Sequence, residues 1–494
     1  MHQHPDLITV ETVAPPSEED RLENKISAGL LGGAIGDAMG WVTEFVKSSR
    51  ELEARYKSLR IADFVSWEKK VGGRFNPYID YVGAGEYSDD TQLALCVARS
   101  IQPDGTVDNE YFAKVELSTW LTYARGAGAT ITGAAKAVQR RGAAWNRNFF
   151  KFRRGGQIFD YRQAGANGAA MRMAPVAFAN YAEPERTTRE VWRNTIITHG
   201  HPRAIVGALV YAHALGHILR EPALNPGSFI GTLKSATERI AFPADDPDLA
   251  TWLREWEKGD PGRFNSLLSA TKTEMLSALS EIKPSPDAPL GELYQRLGCF
   301  SPQTKGSAVG TVAAAVAVSV KHGRNFQHAV IEAVNMLGSD TDTIACMAGT
   351  IAGAYAGYPT IPEHWTTCMQ DFSYFMRAAY ALTKVARRKA QGPELRRVSG
   401  EQHPRIAHVS SLARATNLAS NMRVQHPIFG IGTVRNVDVQ PLKGKRDGSM
   451  LFVVVLFDSG QTCKFRFFRP GVPKGQTPPH KARRKQTRQA ELFS

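Results

Sequence analysis

The chain has 494 residues, 43% of them hydrophobic and 22% charged, which excludes a disordered protein and exceeds what one ordinary domain holds. Its net charge of +14 is uneven: residues 381–494 carry 22 Lys and Arg against 6 Asp and Glu, leaving 39 against 41 for residues 1–380. Five cysteines, scattered and without a CxxC pair, argue against a disulfide framework and a structural zinc site, with the cytoplasm as the default location.

Residues 1–21 are polar, with Pro5, Pro15, Pro16 and the acidic run Glu18-Glu19-Asp20. They lack the basic start and apolar middle of an export signal and read as a disordered N-terminus. From 22 to 389 the pattern is mainly α, a compact all-helical domain. Ile26 to Phe45 is Gly- and Ala-rich with helical periodicity, and Thr91 to Ile101 predicts a second helix. Trp145 to Tyr161, with Phe149, Phe150, Phe152, Arg153 and Arg154, is either a lid or leaving-group surface or a packed surface insertion. Pro222 to Leu297 predicts helical elaboration without chemistry. Ala308 to Val320 is the longest apolar stretch; it falls short of the roughly 20 residues a membrane span needs, so it predicts a buried helix and no membrane partner. Phe326 to Leu337 and Ile344 to Ala356 complete the helical set, whose small residues suit close packing with little sheet.

Residues 390–421 mix Pro, Ser, Gln, His and Arg and read as a linker. Across 422–472, short β-branched and aromatic runs such as Leu451 to Phe457 alternate with Gly and Asp turns, which predicts a small β-barrel. Residues 473–494, with Lys481, Arg483, Arg484, Lys485 and Arg488, read as a basic disordered tail. Such a basic end suits nucleic acid or another polyanion, or is a solvated tail that aids solubility.

Chemistry concentrates in two acidic clusters, each opening a predicted helix: Ser88-Asp89-Asp90-Thr91 and Asp340-Thr341-Asp342-Thr343. Ser88 or Asp89 suits the N-cap of the first helix, and the helix dipole favours an anion there, so capping explains one acidic residue. Adjacent like charges ask for a cation as well. Hard oxygen ligands without nearby His or Cys point to Mg²⁺, Mn²⁺ or Ca²⁺. Capping and ion binding both stay open on residue chemistry alone.

Five segments, in order, resemble the motifs of the ADP-ribosylglycohydrolases. They are Gly32 to Gly40 with Glu44-Phe45, Gly85 to Gln92, Asn167 to Pro175, Thr198-His199-Gly200-His201-Pro202, and Gly338 to Thr343. Ser88 stands where that family more often has Thr, and Ser339 where it has Gly. The resemblance implies an all-α fold with two Mg²⁺ ions (Mn²⁺ as the alternative) held by Ser88, Asp89, Asp90, Asp340, Asp342 and Thr343. It implies that Asn167, Gly168 and His199 line an ADP-ribose pocket, and that Glu44 approaches the ions. The implied activity is hydrolysis of the ribosyl glycosidic bond of ADP-ribosylated protein or nucleic acid. Asp89 or Asp90 is the preferred general base, with Glu44 the rival.

Arg423 to Val434 and Val453 to Gly460 resemble the small SH3/Tudor-like barrel that ends UvrD/PcrA-type helicases. That implies a nucleic-acid or transcription- or repair-protein partner, with Lys443, Lys445, Arg446, Lys464, Arg466 and Arg469 offering the cations. The alternative to an enzyme is a non-catalytic ADP-ribose reader, or a scaffold acting through this end. Oligomeric state and the ADP-ribose acceptor are not written in the sequence.

Overall fold

The computed structural model describes residues 20–72, 77–221, 225–285, 287–392, 395–396, 404, 406–415, 418–442 and 448–470. Asp20 begins the first helix by accepting the Glu23 amide (3.1 Å), and α1 then runs from Arg21 to Thr43, buried from Asn24 onward. Along it, Gly29, Gly32, Gly36 and Gly40 recur at three- and four-residue spacing and so share one face. That face lies on the helix Thr341–Ala356, whose Gly349 and Gly353 face back. A Cβ at Gly36 would stand 2.0 Å from the Ala345 carbonyl oxygen, and one at Gly349 2.2 Å from that of Gly32. The two backbones therefore touch, and only glycine allows it.

Around this pair sit α2 (Asp89–Ser100), α3 (Pro202–Arg220), α4 (Ala308–His322) and α5 (Phe326–Val334), with the partner of α1 as α6 (Thr341–Ala356) and α7 (Phe372–Ala386) after it. The predicted buried helix is α4, with all residues from Ala308 to Val320 buried. Helices Pro226–Arg239, Pro247–Trp256, Arg263–Ser280 and Leu290–Arg296 fill the elaboration expected between 222 and 297.

The expectation of an all-helical domain is corrected at two places. Strands β1 (Trp67–Val71) and β2 (Tyr78–Val82) form an antiparallel pair, as do β3 (Lys151–Arg154) and β4 (Gln157–Asp160). Neither shows helical periodicity, and each carries the alternating or aromatic pattern of a short strand. The second lies within the Trp145 to Tyr161 stretch: Phe150, Phe152 and Tyr161 are buried, so this insertion is packed down by its aromatic side chains.

The C-terminal residues build one curled sheet in the order β5 (Ala407–His408), β6 (Arg423–His426), β7 (Gly430–Pro441), β8 (Gly448–Phe457), β9 (Thr462–Pro470). Among the described residues β5 and β9 are its edges, so the arrangement is a half-barrel, open where a closed barrel was expected. Residues 390–421, expected to be a linker, contribute β5, parallel to β6, and a 3₁₀ turn at Val409–Arg414. Val424, Phe429, Val455 and Phe465 belong to the same continuous apolar cluster as the helices. Tyr123 of the helical domain enters that seam, with ring centroids 5.1 Å from Phe429 and 6.2 Å from Phe465.

Three cations expected to face an outside polyanion are engaged internally. Lys464 pairs with Asp80 at 2.7 Å, Arg466 lies 3.7 Å from the other oxygen of that carboxylate, and Arg469 donates to the carbonyls of Leu412, Ala413 and Ala415. Lys443, Lys445, Arg446 and the tail from 471 onward lie outside the described residues.

Arg99 closes the seam. Buried at the end of α2, it forks onto Glu116 (2.8 and 2.7 Å) and reaches Gln461 of the sheet (3.1 Å). Replacing Glu116 by Ala leaves that guanidinium buried and uncompensated, and is expected to cost about 3–5 kcal/mol. Denaturant unfolding measures this; a cost below about 1 kcal/mol would mean the pair behaves as a solvated one.

Candidate active site

Ser88 caps α2, its hydroxyl accepting weakly from the Asp90 amide (3.4 Å), and Asp89 and Asp90 occupy the first turn. Asp340 stands at the cap position of α6 but makes no capping bond with its side chain. Its Oδ2 instead accepts from Asn167 Nδ2 at 2.6 Å. Capping therefore accounts for Ser88 and leaves the Asp340 carboxylate for other use.

Because α1 and α6 touch, the carboxylates at their ends converge. One oxygen each of Glu44, Asp340 and Asp342 lies within 4.8 Å of the others, a set that can hold a metal ion. Asp90 joins from α2, close enough to Asp340 and Asp89 to feel both and hydrogen-bonded by Thr343. Its Oδ1 is buried without a partner. A buried carboxylate oxygen is costly when unpaired, and a cation is the group that would satisfy it.

Burial pushes these groups up, Glu44 to about 8 and Asp89 to about 7, with Asp90, Asp340 and Asp342 raised as well; neighbouring acids add to this at all but Asp340, where Asn167, Lys305 and Arg154 oppose it. Ordinary values are 4.5 for Glu and 3.8 for Asp. Between these values the folded chain binds more protons than the unfolded one, so the stability the groups lend is fully present below about pH 4 and is lost as pH rises through about 7 and 8. In chelator, Tm is expected to fall between pH 5.5 and pH 8.5; saturating Mg²⁺ should remove most of that fall, because a bound cation favours the ionised form. Equal pH slopes with and without the ion would contradict it.

Asp37, inside the Gly32 to Gly40 motif, has a role that the sequence alone does not show. Wholly buried on α1, it accepts from the Ser88 amide (3.1 Å), the Thr91 amide (3.0 Å) and the Thr91 hydroxyl (2.6 Å). It fixes the turn that presents Asp89 and Asp90. The signal available was a lone acid inside a Gly/Ala helix, where only a paired carboxylate is tolerable.

The Asn167 loop is held from beneath. Arg172, fully buried, donates to the Gly168 carbonyl (2.9 Å) and to both the side chain and carbonyl of Asn194 (2.9 Å each). A Cβ at Gly168 would lie 2.7 Å from Ile131 Cδ1 and 3.2 Å from His199 Cε1. His199 is thus packed under the loop, bonded through Nδ1 to the Thr198 hydroxyl (2.8 Å), and burial drives its pKa to about 3. It is a neutral imidazole supporting Gly168. Next to the loop opens a cavity of about 1170 Å³, lined by Gly165, Ala166 and Gly306, by Phe152 and Phe159 of the second hairpin, by Arg154, and by the ion pairs Arg162–Asp160, Arg203–Glu274 and Arg296–Glu281. Asn167 joins cavity and acids, its amide donating to Gly306 O (3.0 Å) and its side chain to Asp340.

Buried carboxylates gathered beside a cavity on a helical scaffold are the equipment of a glycosidase-type hydrolase. The chain belongs to the ADP-ribosylglycohydrolase family, whose sequence profile matches residues 18–393. An uncharacterized protein of Archaeoglobus fulgidus is 28% identical over 74% of this chain and 97% of its own length. The ADP-ribosylarginine hydrolase Tri1 of Pseudomonas putida is 26% identical over 72% of this chain and 75% of its own, and the ADP-ribosylhydrolase ARH3 of Gallus gallus 24% over 72% and 92%. A solved ADP-ribosylglycohydrolase-related protein complex aligns with a TM-score of 0.49 at 21% identity, covering 74% of this chain and 99% of that one. Among the described residues, no helix is long and apolar enough to cross a membrane.

Proposed function

We propose that the protein hydrolyses the ribosyl glycosidic bond of ADP-ribosylated macromolecules and releases ADP-ribose. The observation that carries this reading is the convergence of Glu44, Asp340 and Asp342 beside the cavity, joined to it by Asn167. The named activities of the Tri1 and ARH3 relatives support it.

Ser88, Asp89, Asp90, Asp340, Asp342 and Thr343 would hold two Mg²⁺ ions, or Mn²⁺ in their place, with Glu44 alongside. Divalent ions so bound supply Lewis acidity that orients ribose hydroxyls and makes a water more acidic. The chain's own groups do the rest. Arg154 at the cavity wall suits a phosphate of the ligand. As the bond from the anomeric carbon to the leaving group breaks, charge develops on the ribose, and surrounding carboxylates stabilise it. Asp89 or Asp90 accepts the proton of the attacking water, with Glu44 the rival for that role. Lys443, Lys445, Arg446 and the tail would be the cations that meet nucleic acid or a transcription or repair protein; the half-barrel's likeness to a Tudor-like barrel belongs to the same proposal.

A panel of defined substrates, carrying ADP-ribose on arginine, serine or a nucleobase, tests the function. Release of free ADP-ribose from at least one, lost in Asp89→Ala, is expected. Binding of ADP-ribose without release from any member would make the protein a reader.

A further inference from the structure

The C-terminal sheet grips one strand of the helical domain residue by residue. In β2, the Tyr78 ring lies 5.6 Å from Phe452, the Ile79 amide donates to Gln440 Oε1 (3.2 Å), Asp80 receives Lys464 Nζ (2.7 Å) with Arg466 at 3.7 Å, and the Tyr81 carbonyl accepts from Lys464 (2.6 Å). Four consecutive residues thus each have a partner in the sheet. Asp80 is 3% exposed in that grip; burial would raise its pKa, but Arg125, Lys464 and Arg466 outweigh burial and hold it below the usual value.

Across the hairpin, Asp80 is paired in register with Lys69 of β1, and directly opposed residues share a face. Lys69 reaches the acids. Its Nζ lies 4.6 Å from the Trp41 ring centroid and 4.7 Å from that of Phe45, two rings that flank Glu44. Trp67, two residues earlier, packs edge-on against Trp41 with centroids 5.2 Å apart. Glu44, Asp89 and Asp342 all feel the Lys69 charge, whereas Asp340 is flanked by Lys305 and Arg154 from the cavity side. The centre therefore has a built-in counter-charge that comes from the hairpin.

We propose that the C-terminal sheet is a clamp on the active centre: Lys464 and Arg466 hold Asp80, Asp80 fixes the hairpin, and the hairpin sets Lys69 against the carboxylates, so that a segment outside the family-matched region governs how tightly the centre binds divalent cations. Asp80, Lys464 and Arg466 are positioning residues. Lys69, as a cation beside a cation site, weakens ion binding by charge repulsion and holds the acids together when no ion is bound. This rests on the reading that Glu44, Asp340 and Asp342 bind ions.

The test measures Mn²⁺ affinity of the full chain, by electron paramagnetic resonance or calorimetry, alongside Tm in chelator. Lys69→Met should bind Mn²⁺ on the order of ten-fold more tightly and melt lower in chelator. Lys464→Met should move the affinity the same way and no further, Lys464→Arg should restore the wild-type value, and the double variant should not exceed Lys69→Met. Lys464 and Lys69 both meet Asp80, so effects carried through the clamp should couple, and effects that bypass it should add. Additive shifts, or an unchanged affinity in Lys464→Met while Lys69→Met shifts, would overturn the clamp. No shift in Lys69→Met would remove Lys69 from the centre. A wild-type chain that binds no Mn²⁺ would instead overturn the underlying reading of the acids.

Discussion

Replacing Asp342 by Asn is expected to reduce hydrolysis by about 10³-fold or more, roughly 4 kcal/mol of transition-state stabilisation, while leaving the ion-free protein as stable as before or more so. Both halves follow from the same geometry. Asp342 has an oxygen within 4.8 Å of those of Glu44 and Asp340, and burial together with those neighbours pushes its pKa well up. In the absence of an ion this crowding opposes folding in the ionised form, and the neutral amide relieves it. In the presence of an ion the same carboxylate is a ligand, and the amide is a poor one. Steady-state rates, with Tm in chelator and in Mg²⁺, separate the two: the variant should lose the ion-induced rise in Tm. A variant destabilised in chelator and still ion-responsive would place Asp342 in a structural role.

The second large effect is expected at Gly36→Ala. Its Cβ would stand 2.0 Å from the Ala345 carbonyl oxygen and 2.4 Å from the carbon, both backbone atoms that have no rotamer to change. Helices α1 and α6 must part. Overpacking typically costs about 1–3 kcal/mol, and a backbone clash belongs at or beyond the upper end. Parting also separates Glu44 on one element from Asp342 on the other, so activity should fall further than stability. Gly231→Ala is the control: nothing lies within 4 Å of a Cβ there, and the change should be near neutral or slightly stabilising. Near-wild-type stability in Gly36→Ala would mean that the contact between the helices is looser than the structure has it.

The helices were legible because their signals are local. The glycine spacing of α1, the apolar run of α4 and the acidic openings of α2 and α6 each lie within one stretch of chain. The hairpin at 67–82 was not, since its two short strands take their order from contacts far away: Trp67 from Trp41, and Asp80 from Lys464, 384 residues on. The same distance hid the role of the basic C-terminal residues. Lys464 and Arg466 add to the charge excess of the tail by composition, yet both are drawn onto one acid that the sequence places in another domain. At the site, Asp340 and Asp342 were marked by residue type, whereas Asp37 could not be told from a solvated acid until its three hydrogen-bond donors were in view. His199 packs against Gly168, a contact that no motif states.

If the acids at the α1–α6 contact form an ion-dependent glycosidic centre, removing the ion should stop the reaction. The most direct test is release of free ADP-ribose from an ADP-ribosylated acceptor by the full chain, followed after chelation and during Mg²⁺ or Mn²⁺ titration. Release should vanish on chelation, return with the ion, and be absent throughout in Asp342→Asn. Release that persists unchanged in chelator, or in Asp342→Asn, would contradict an ion-dependent centre.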